Sequence, residues 1–315
     1  MIYPEALEHF SEQCTYDPEI INRERLRPFE RIIILGMGGS RLAPDILNMC
    51  QPELEVHIHS DYDLPPLAPE HLEKALIIAN SYSGNTAEPI SGAKAALEKG
   101  YNLAVVTTGG QLAQLAKERS LPHVITPDQS LPHRLALGYN LAALLAFIGL
   151  DLAPLKACAA LKADTERAKT LAQDLYGYIP LVYTPDRLSE LGYIWKVVLN
   201  ETSKVPAFCN RYPELDHNEI AGFDPSNAAQ FSVFKCMMIR DPSDERSNHR
   251  ADATTTLLRS RGIPVEVLEL EGSSVLERIM ASALMAHWIG VYLAQKKGVD
   301  PITAPVIEEF KVLMK

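Results

Sequence analysis

The feature that most constrains this chain is a rhythm of short aliphatic runs separated by helix-length segments. Arg31–Leu35 (RIIIL), Glu55–His59 (EVHIH), Ala75–Ala79 (ALIIA), Leu103–Thr107 (LAVVT) and His123–Thr126 (HVIT) are strand-like. Leu42–Met49, Glu88–Lys99 and Leu112–Arg119 lie between them and space their apolar residues as helices do. Strands that are apolar on both faces and separated by helices specify a parallel sheet covered on both sides. Leu135–Leu150 reads as a buried helix closing this unit. After Pro154 the rhythm returns. Helices are expected at Leu155–Tyr176, Ser189–Asn200, Glu245–Arg261, Val275–Lys296 and Val306–Met314. Strands are expected at Pro180–Tyr183, Ala207–Cys209, Ser232–Ile239 and Val265–Leu270. The fold class is therefore α/β, with two domains, 1–153 and 154–315, each a mostly parallel sheet flanked by helices. A length of 315 residues agrees with two domains of ordinary size.

Charge narrows the partners. With 30 basic and 40 acidic side chains the net charge is −10, which opposes binding to a nucleic-acid backbone. It does not oppose a small anion held by a local cluster of N–H groups. The five cysteines, Cys14, Cys50, Cys158, Cys209 and Cys236, form no CxxC and are odd in number, so reduced thiols in a cytoplasm are the expectation. The N-terminus MIYPEALEHFSEQ is acidic and does not read as a signal peptide. Leu135–Leu150 and Met280–Ala294 are too short to span a membrane and are interrupted by Asn140 and His287.

Three turns follow predicted strands. The first, Gly36-Met37-Gly38-Gly39-Ser40, can bring backbone N–H groups against an anion, or can be a tight turn and nothing more. It is not a dinucleotide fingerprint, because Arg41 stands where the third glycine belongs. The second, Ser81-Tyr82-Ser83-Gly84-Asn85-Thr86, offers three hydroxyls around a glycine just before a helix. Helix capping by Ser83 or Thr86 accounts for part of that pattern. Three hydroxyls exceed what a cap requires, and phosphate binding is the reading favoured here. The third, Thr107-Thr108-Gly109-Gly110, lies at the same sheet edge. His57 and His59 form an HxH pair on a strand, but no further ligands follow at metal-site spacing, so the pair reads as structural.

Taken in order, GMGGS, SYSGNT and TTGG resemble a sugar isomerase (SIS) domain. Asn200-Glu201-Thr202-Ser203-Lys204 resembles the NEx(A/S)K segment of the bifunctional phosphoglucose/phosphomannose isomerase family. Asp216-His217-Asn218-Glu219 is similar to its HN segment, with His217 16 residues from Glu201. Pro132–Gly138 is similar to its PPRxALG segment, and the stretch from Asp300-Pro301 to Lys311 resembles its last helix. The resemblance implies two SIS-type α/β/α sandwich domains and an aldose–ketose isomerase interconverting glucose 6-phosphate and fructose 6-phosphate, with mannose 6-phosphate as a further substrate. It implies a metal-independent cis-enediol proton transfer with no cofactor, in a cytoplasmic homodimer whose subunits share active sites.

Residue by residue, the resemblance makes Glu201 the catalytic base, which moves a proton between C1 and C2. His217 becomes the ring-opening group supplied by the other subunit. Lys311 becomes an active-site lysine. Arg134 becomes the cation beside the enediolate or ring oxygen. Gly38, Gly39, Ser40, Ser81, Ser83 and Thr86 become phosphate and sugar contacts. Without the resemblance, Glu201 would read as a helix carboxylate paired with Lys204, and Arg134 and Lys311 as surface charges. Two positions depart from the family pattern. Ala304 stands at a family threonine that accommodates rotation about C2–C3 and so the mannose epimer, and Arg41 replaces a small residue. The alternatives are a non-catalytic SIS sugar-phosphate sensor and an amino-sugar-phosphate SIS enzyme.

Overall fold

The computed structural model describes residues 3–128 and 132–314. The chain packs as two units, one formed by His9–Ala160 and the other by Leu161–Lys315 together with the N-terminal helix α1 (Tyr3–Glu8). The first unit contains β1 (Arg31–Leu35), α2 (Leu42–Cys50), β2 (Val56–His59), α3 (Pro69–Glu73), β3 (Ala75–Asn80) and α4 (Ala87–Glu98). It continues with β4 (Asn102–Thr107), α5 (Gly110–Glu118), β5 (His123–Ile125), α6 (Leu137–Ile148) and α7 (Ala153–Ala157). The second unit contains α8 (Thr165–Leu175), β6 (Ile179–Pro185), α9 (Ser189–Ser203), β7 (Phe208–Tyr212) and α10 (Ala228–Phe231). It ends with β8 (Phe234–Arg240), α11 (Glu245–Ser260), β9 (Val265–Glu269), α12 (Val275–Lys297) and α13 (Pro305–Leu313).

Both sheets are parallel throughout, in the orders β2-β1-β3-β4-β5 and β7-β6-β8-β9. The second order is the first with its last strand missing, so the rhythm seen in the sequence is one topology used twice. The α/β expectation holds, and the reason is visible in the centre of the first sheet. Every residue of β3 and β4 is buried, as strands covered on both faces require. Ile33, Leu35, Ile77 and Val105 of this sheet pack against Ile90, Ala93 and Ala96 of α4 and Leu112 of α5. In the second unit Leu181, Tyr183 and Met238 pack against Ala251 and Leu258 of α11.

Three local expectations change. The helix expected over Leu155–Tyr176 is broken: α7 and a single 3-10 turn (Cys158–Ala160) end before α8 begins. Asp164 restarts the helix by accepting the Arg167 N–H at 2.9 Å, a capping bond that competes with continuous helix. Helix α9 runs past Asn200 to Ser203, which places Glu201 inside its last turn. Helix α1 was not anticipated; Tyr3, Ala6 and Leu7 are buried in the second unit. The division set at 153/154 in the sequence falls at Ala160/Leu161 in the packing. All five cysteines are thiols rather than disulfides, and burial pushes those of Cys14 and Cys50 up to about 12. Among the described residues no helix is long and apolar enough to cross a membrane.

Candidate active site

In an open parallel sheet, ligands bind beyond the carboxyl ends of the strands, where the strand order reverses. In the first unit that point lies between β1 and β3. The two turns leaving these strands are Gly36–Ser40 and Ser81–Thr86, and the structure brings them together. Asn80 Nδ2 donates to the Ser40 carbonyl at 2.7 Å, and the Tyr82 N–H donates to Ser40 Oγ at 3.0 Å. Ser81 Oγ and Thr86 Oγ1 lie 3.0 Å apart, and Ser83 Oγ accepts the Asn85 N–H at 3.3 Å. Thr86 occupies the N-cap position of α4 but makes no side-chain cap bond there, so capping does not use up its hydroxyl. The third turn closes over the second: the Thr108 N–H and hydroxyl both donate to the Tyr82 carbonyl, at 2.9 and 2.6 Å. Gly84 permits this approach. Its φ is +65°, and a Cβ there would sit 1.9 Å from the Gly109 carbonyl oxygen.

Arg134 belongs to the same cluster. It is 3% exposed, in the 3-10 turn His133–Leu135, and a Cβ on Gly39 would sit 2.6 Å from its backbone nitrogen. The preceding His133 ring lies 5.0 Å from the Tyr82 ring. Sequence reasoning passed over Asn80 and Asn140. Their amides exchange hydrogen bonds of 3.0 and 2.6 Å, tying the Ser40 turn to α6. A polar residue ending an all-aliphatic strand, and another interrupting an apolar helix, were the available signals. Arg41 has a role of its own: its Nε lies 3.2 Å from both carboxylate oxygens of Asp45, which is fully buried. The His57–His59 pair sits on edge strand β2, where His59 Nε2 donates to the Tyr62 carbonyl at 3.1 Å.

In the second unit Glu201 opens onto a cleft of about 350 Å³. Val205, Pro206, Val306 and Ile307 give it apolar walls, and Ala304 lines it as well. Lys204 adopts a left-handed conformation (φ 52°) that ends α9. Its ammonium donates to the Glu201 carbonyl at 2.6 Å and also to the carbonyl of Asp300. One cation therefore satisfies an open carbonyl at the helix end and ties the Glu201 turn to the loop carrying Ala304. Thr303 Oγ1 donates to Asp300 Oδ2 at 2.6 Å, so it does not stand in for a hydroxyl at position 304. That bond is the main cause holding the Asp300 carboxyl below its ordinary value.

His217 is exposed, but its loop is anchored on both sides. Asp216 Oδ1 accepts from Thr254 Oγ1 at 2.7 Å, and the Glu219 carboxylate accepts from the Tyr183 hydroxyl and from Asn210 Nδ2. Burial, and then the Glu219 charge, push the Tyr183 hydroxyl well above its ordinary value, which keeps it protonated and donating. Lys311 is exposed on α13, 2.7 Å from Glu308. Neither His217 nor Lys311 lines the Glu201 cleft.

The two arrangements are a hydroxyl-rich cradle at one sheet edge and a carboxylate in an apolar cleft. Residues 164–314 match the family model described as the bacterial phospho-glucose isomerase C-terminal SIS domain. A bifunctional phosphoglucose/phosphomannose isomerase of Aquifex aeolicus is 33% identical over 92% of each chain. The chain belongs to the bifunctional phosphoglucose/phosphomannose isomerase family. A D-glucosamine-6-phosphate 4-epimerase of Sulfolobus acidocaldarius is 26% identical over 91% of this chain and 88% of its own. In fold, the chain matches a hypothetical protein of Thermus thermophilus with a TM-score of 0.72, at 21% identity over 99% of this chain and 88% of that one. The matched span of the family model holds Glu201, His217, Ala304 and Lys311.

Proposed function

We propose that this family member interconverts glucose 6-phosphate and fructose 6-phosphate through a cis-enediol intermediate. The observation that carries the reading is Glu201, a carboxylate at a clamped helix end in a cleft with Val205, Pro206, Val306 and Ile307 among its walls. A carboxylate held at a fixed backbone position can act as a general base toward a substrate C–H. In the proposed mechanism Glu201 removes the proton from C2 of the open-chain aldose and returns it to C1 of the same face. His217 and Lys311 move the proton that opens the ring. The exposure of His217 supports its assignment to a partner's site in a homodimer. Arg134 stabilises the enediolate charge, and a fixed, buried cation needs little reorganisation to do so. The N–H groups at Gly38 and Gly39 and the hydroxyls of Ser40, Ser81, Ser83 and Thr86 hold the phosphate. No metal or cofactor takes part, so EDTA leaves the rate unchanged.

The testing variant is Glu201→Gln. It loses about 10²–10⁴ in kcat while still binding 6-phosphogluconate; normal turnover removes Glu201 from the mechanism. The similarity to a glucosamine-6-phosphate epimerase gives a second reading, an amino-sugar-phosphate enzyme. Turnover of glucosamine 6-phosphate exceeding that of glucose 6-phosphate selects it. Binding without turnover of any of these sugars selects a sensor.

A further inference from the structure

A second cleft, of about 260 Å³, opens in the first unit at the amino edge of its sheet. Arg25, Arg27 and Arg119 line it over a floor that includes Leu97 and Tyr101, and no Asp or Glu is part of the lining. In a chain of net charge −10, three guanidinium groups around one hollow is an uneven distribution. Among the described residues, none of the three makes an ion pair, although Glu24, Glu98 and Glu118 are close in sequence. The backbone holding them is fixed. Ile21 pairs with His123 of β5 through bonds of 2.9 and 3.0 Å. Asn102, 4% exposed, accepts the Arg27 N–H at 3.3 Å and donates to the Arg27 carbonyl at 3.0 Å. Arg27 Nη2 donates to the Gly100 carbonyl at 2.9 Å, which holds its planar group at the rim. A favourable interaction with the carboxyl end of α5 explains an arginine at position 119 but not the other two.

We infer that this cleft is an anion site for a compact molecule carrying two or more phosphoryl groups. Guanidinium forks match phosphate oxygens in pairs, and three of them exceed what a single phosphate needs. The site is separate from the proposed substrate cradle. Gly100 and Asn102 precede and begin β4, whereas Thr107 ends it and Thr108–Gly110 follow, and six residues of strand put the two ends about 17–20 Å apart.

The test is calorimetric titration of the full chain with pyrophosphate at low ionic strength. The Arg25→Ala/Arg119→Ala variant removes two exposed side chains, and its affinity falls about tenfold or more. An Arg246→Ala/Arg261→Ala variant loses the same net charge in the other unit and binds as the parent does. Lysine at both positions retains charge without the fork and gives an intermediate affinity. Equal affinity in the parent and the Arg25→Ala/Arg119→Ala variant overturns the site. Equal losses in the two alanine variants reduce it to general electrostatics and overturn it as well. Citrate binding tighter than pyrophosphate overturns the phosphoryl assignment.

Discussion

The same topology serves opposite electrostatics in the two units. In each sheet the strand order reverses once, between β1 and β3 in the first and between β6 and β8 in the second. At the first reversal the turns offer hydroxyls and N–H groups with no carboxylate among them. At the second, the chain leaving β8 begins with Asp241, which is fully buried. Its carboxylate accepts from Arg187, from Arg278 Nη1 at 3.0 Å and from the Ser243 hydroxyl at 2.7 Å. That edge already holds its own anion. The proposed base of the second unit, Glu201, lies elsewhere, at the far end of a crossover helix where the chain turns back toward β7. A parallel sheet offers a site at its carboxyl edge, and the loop chemistry decides whether a ligand or a resident side chain fills it.

The comparison is most severely tested at Asp241. An Asp241→Asn change leaves Arg187 and Arg278 facing a neutral amide in a buried setting. A loss of about 3–4 kcal/mol in unfolding free energy is expected from urea melts at neutral pH. A variant as stable as the parent would mean that the buried carboxylate is not what fills this edge.

The corresponding test of the first edge is Gly84→Ala. The new methyl group meets the Gly109 carbonyl, and φ +65° disfavours any side chain. The expected cost is about 2 kcal/mol. Sugar-phosphate binding weakens along with it, because the Ser81–Thr86 and Thr107–Gly110 turns are pushed apart. Parent-like binding of 6-phosphogluconate would show that the interlocked turns do not form the cradle.

These contrasts also explain what could be read from the sequence. Strands such as Ala75–Asn80 were legible because burial on both faces leaves an unbroken aliphatic run. The gathering of the three turns at one sheet edge was legible because glycine and hydroxyl residues sit at the ends of successive strands. Edge strand β7, FCNRY, was found only in part, since an edge needs little apolar character. The cleft at Glu201 carried no local signal, because its walls include Ala304 and Ile307, about a hundred residues away. The break between α7 and α8 was hidden because the Ala-, Lys- and Leu-rich composition favours helix throughout, and only the Asp164 cap interrupts it.

A smaller effect is expected at Lys204, which acts on Glu201 through the backbone. Lys204→Met removes the bonds to the Glu201 and Asp300 carbonyls but keeps much of the apolar stem. The expected stability loss is about 1 kcal/mol. Loosening both walls of the cleft lowers kcat about tenfold with little change in KM, the pattern for a displaced base. A change confined to KM would place Lys204 in substrate binding instead. In the second unit the helix-end clamp then does what the interlocked turns do in the first.

The smallest expected effect concerns Ala304, which shares the Glu201 cleft and lacks a hydroxyl. The neighbouring Thr303 does not compensate, because its hydroxyl and N–H both serve Asp300, at 2.6 and 3.2 Å. Ala304→Thr introduces a hydroxyl into the cleft shared with Glu201 while leaving the Asp300 turn intact. The ratio of mannose 6-phosphate to glucose 6-phosphate kcat/KM should rise about three- to tenfold, a difference of about 1 kcal/mol between two transition states. The glucose 6-phosphate rate should change little, since the proton transfer by Glu201 is common to both epimers. An unchanged ratio would mean that epimer choice is set outside this cleft.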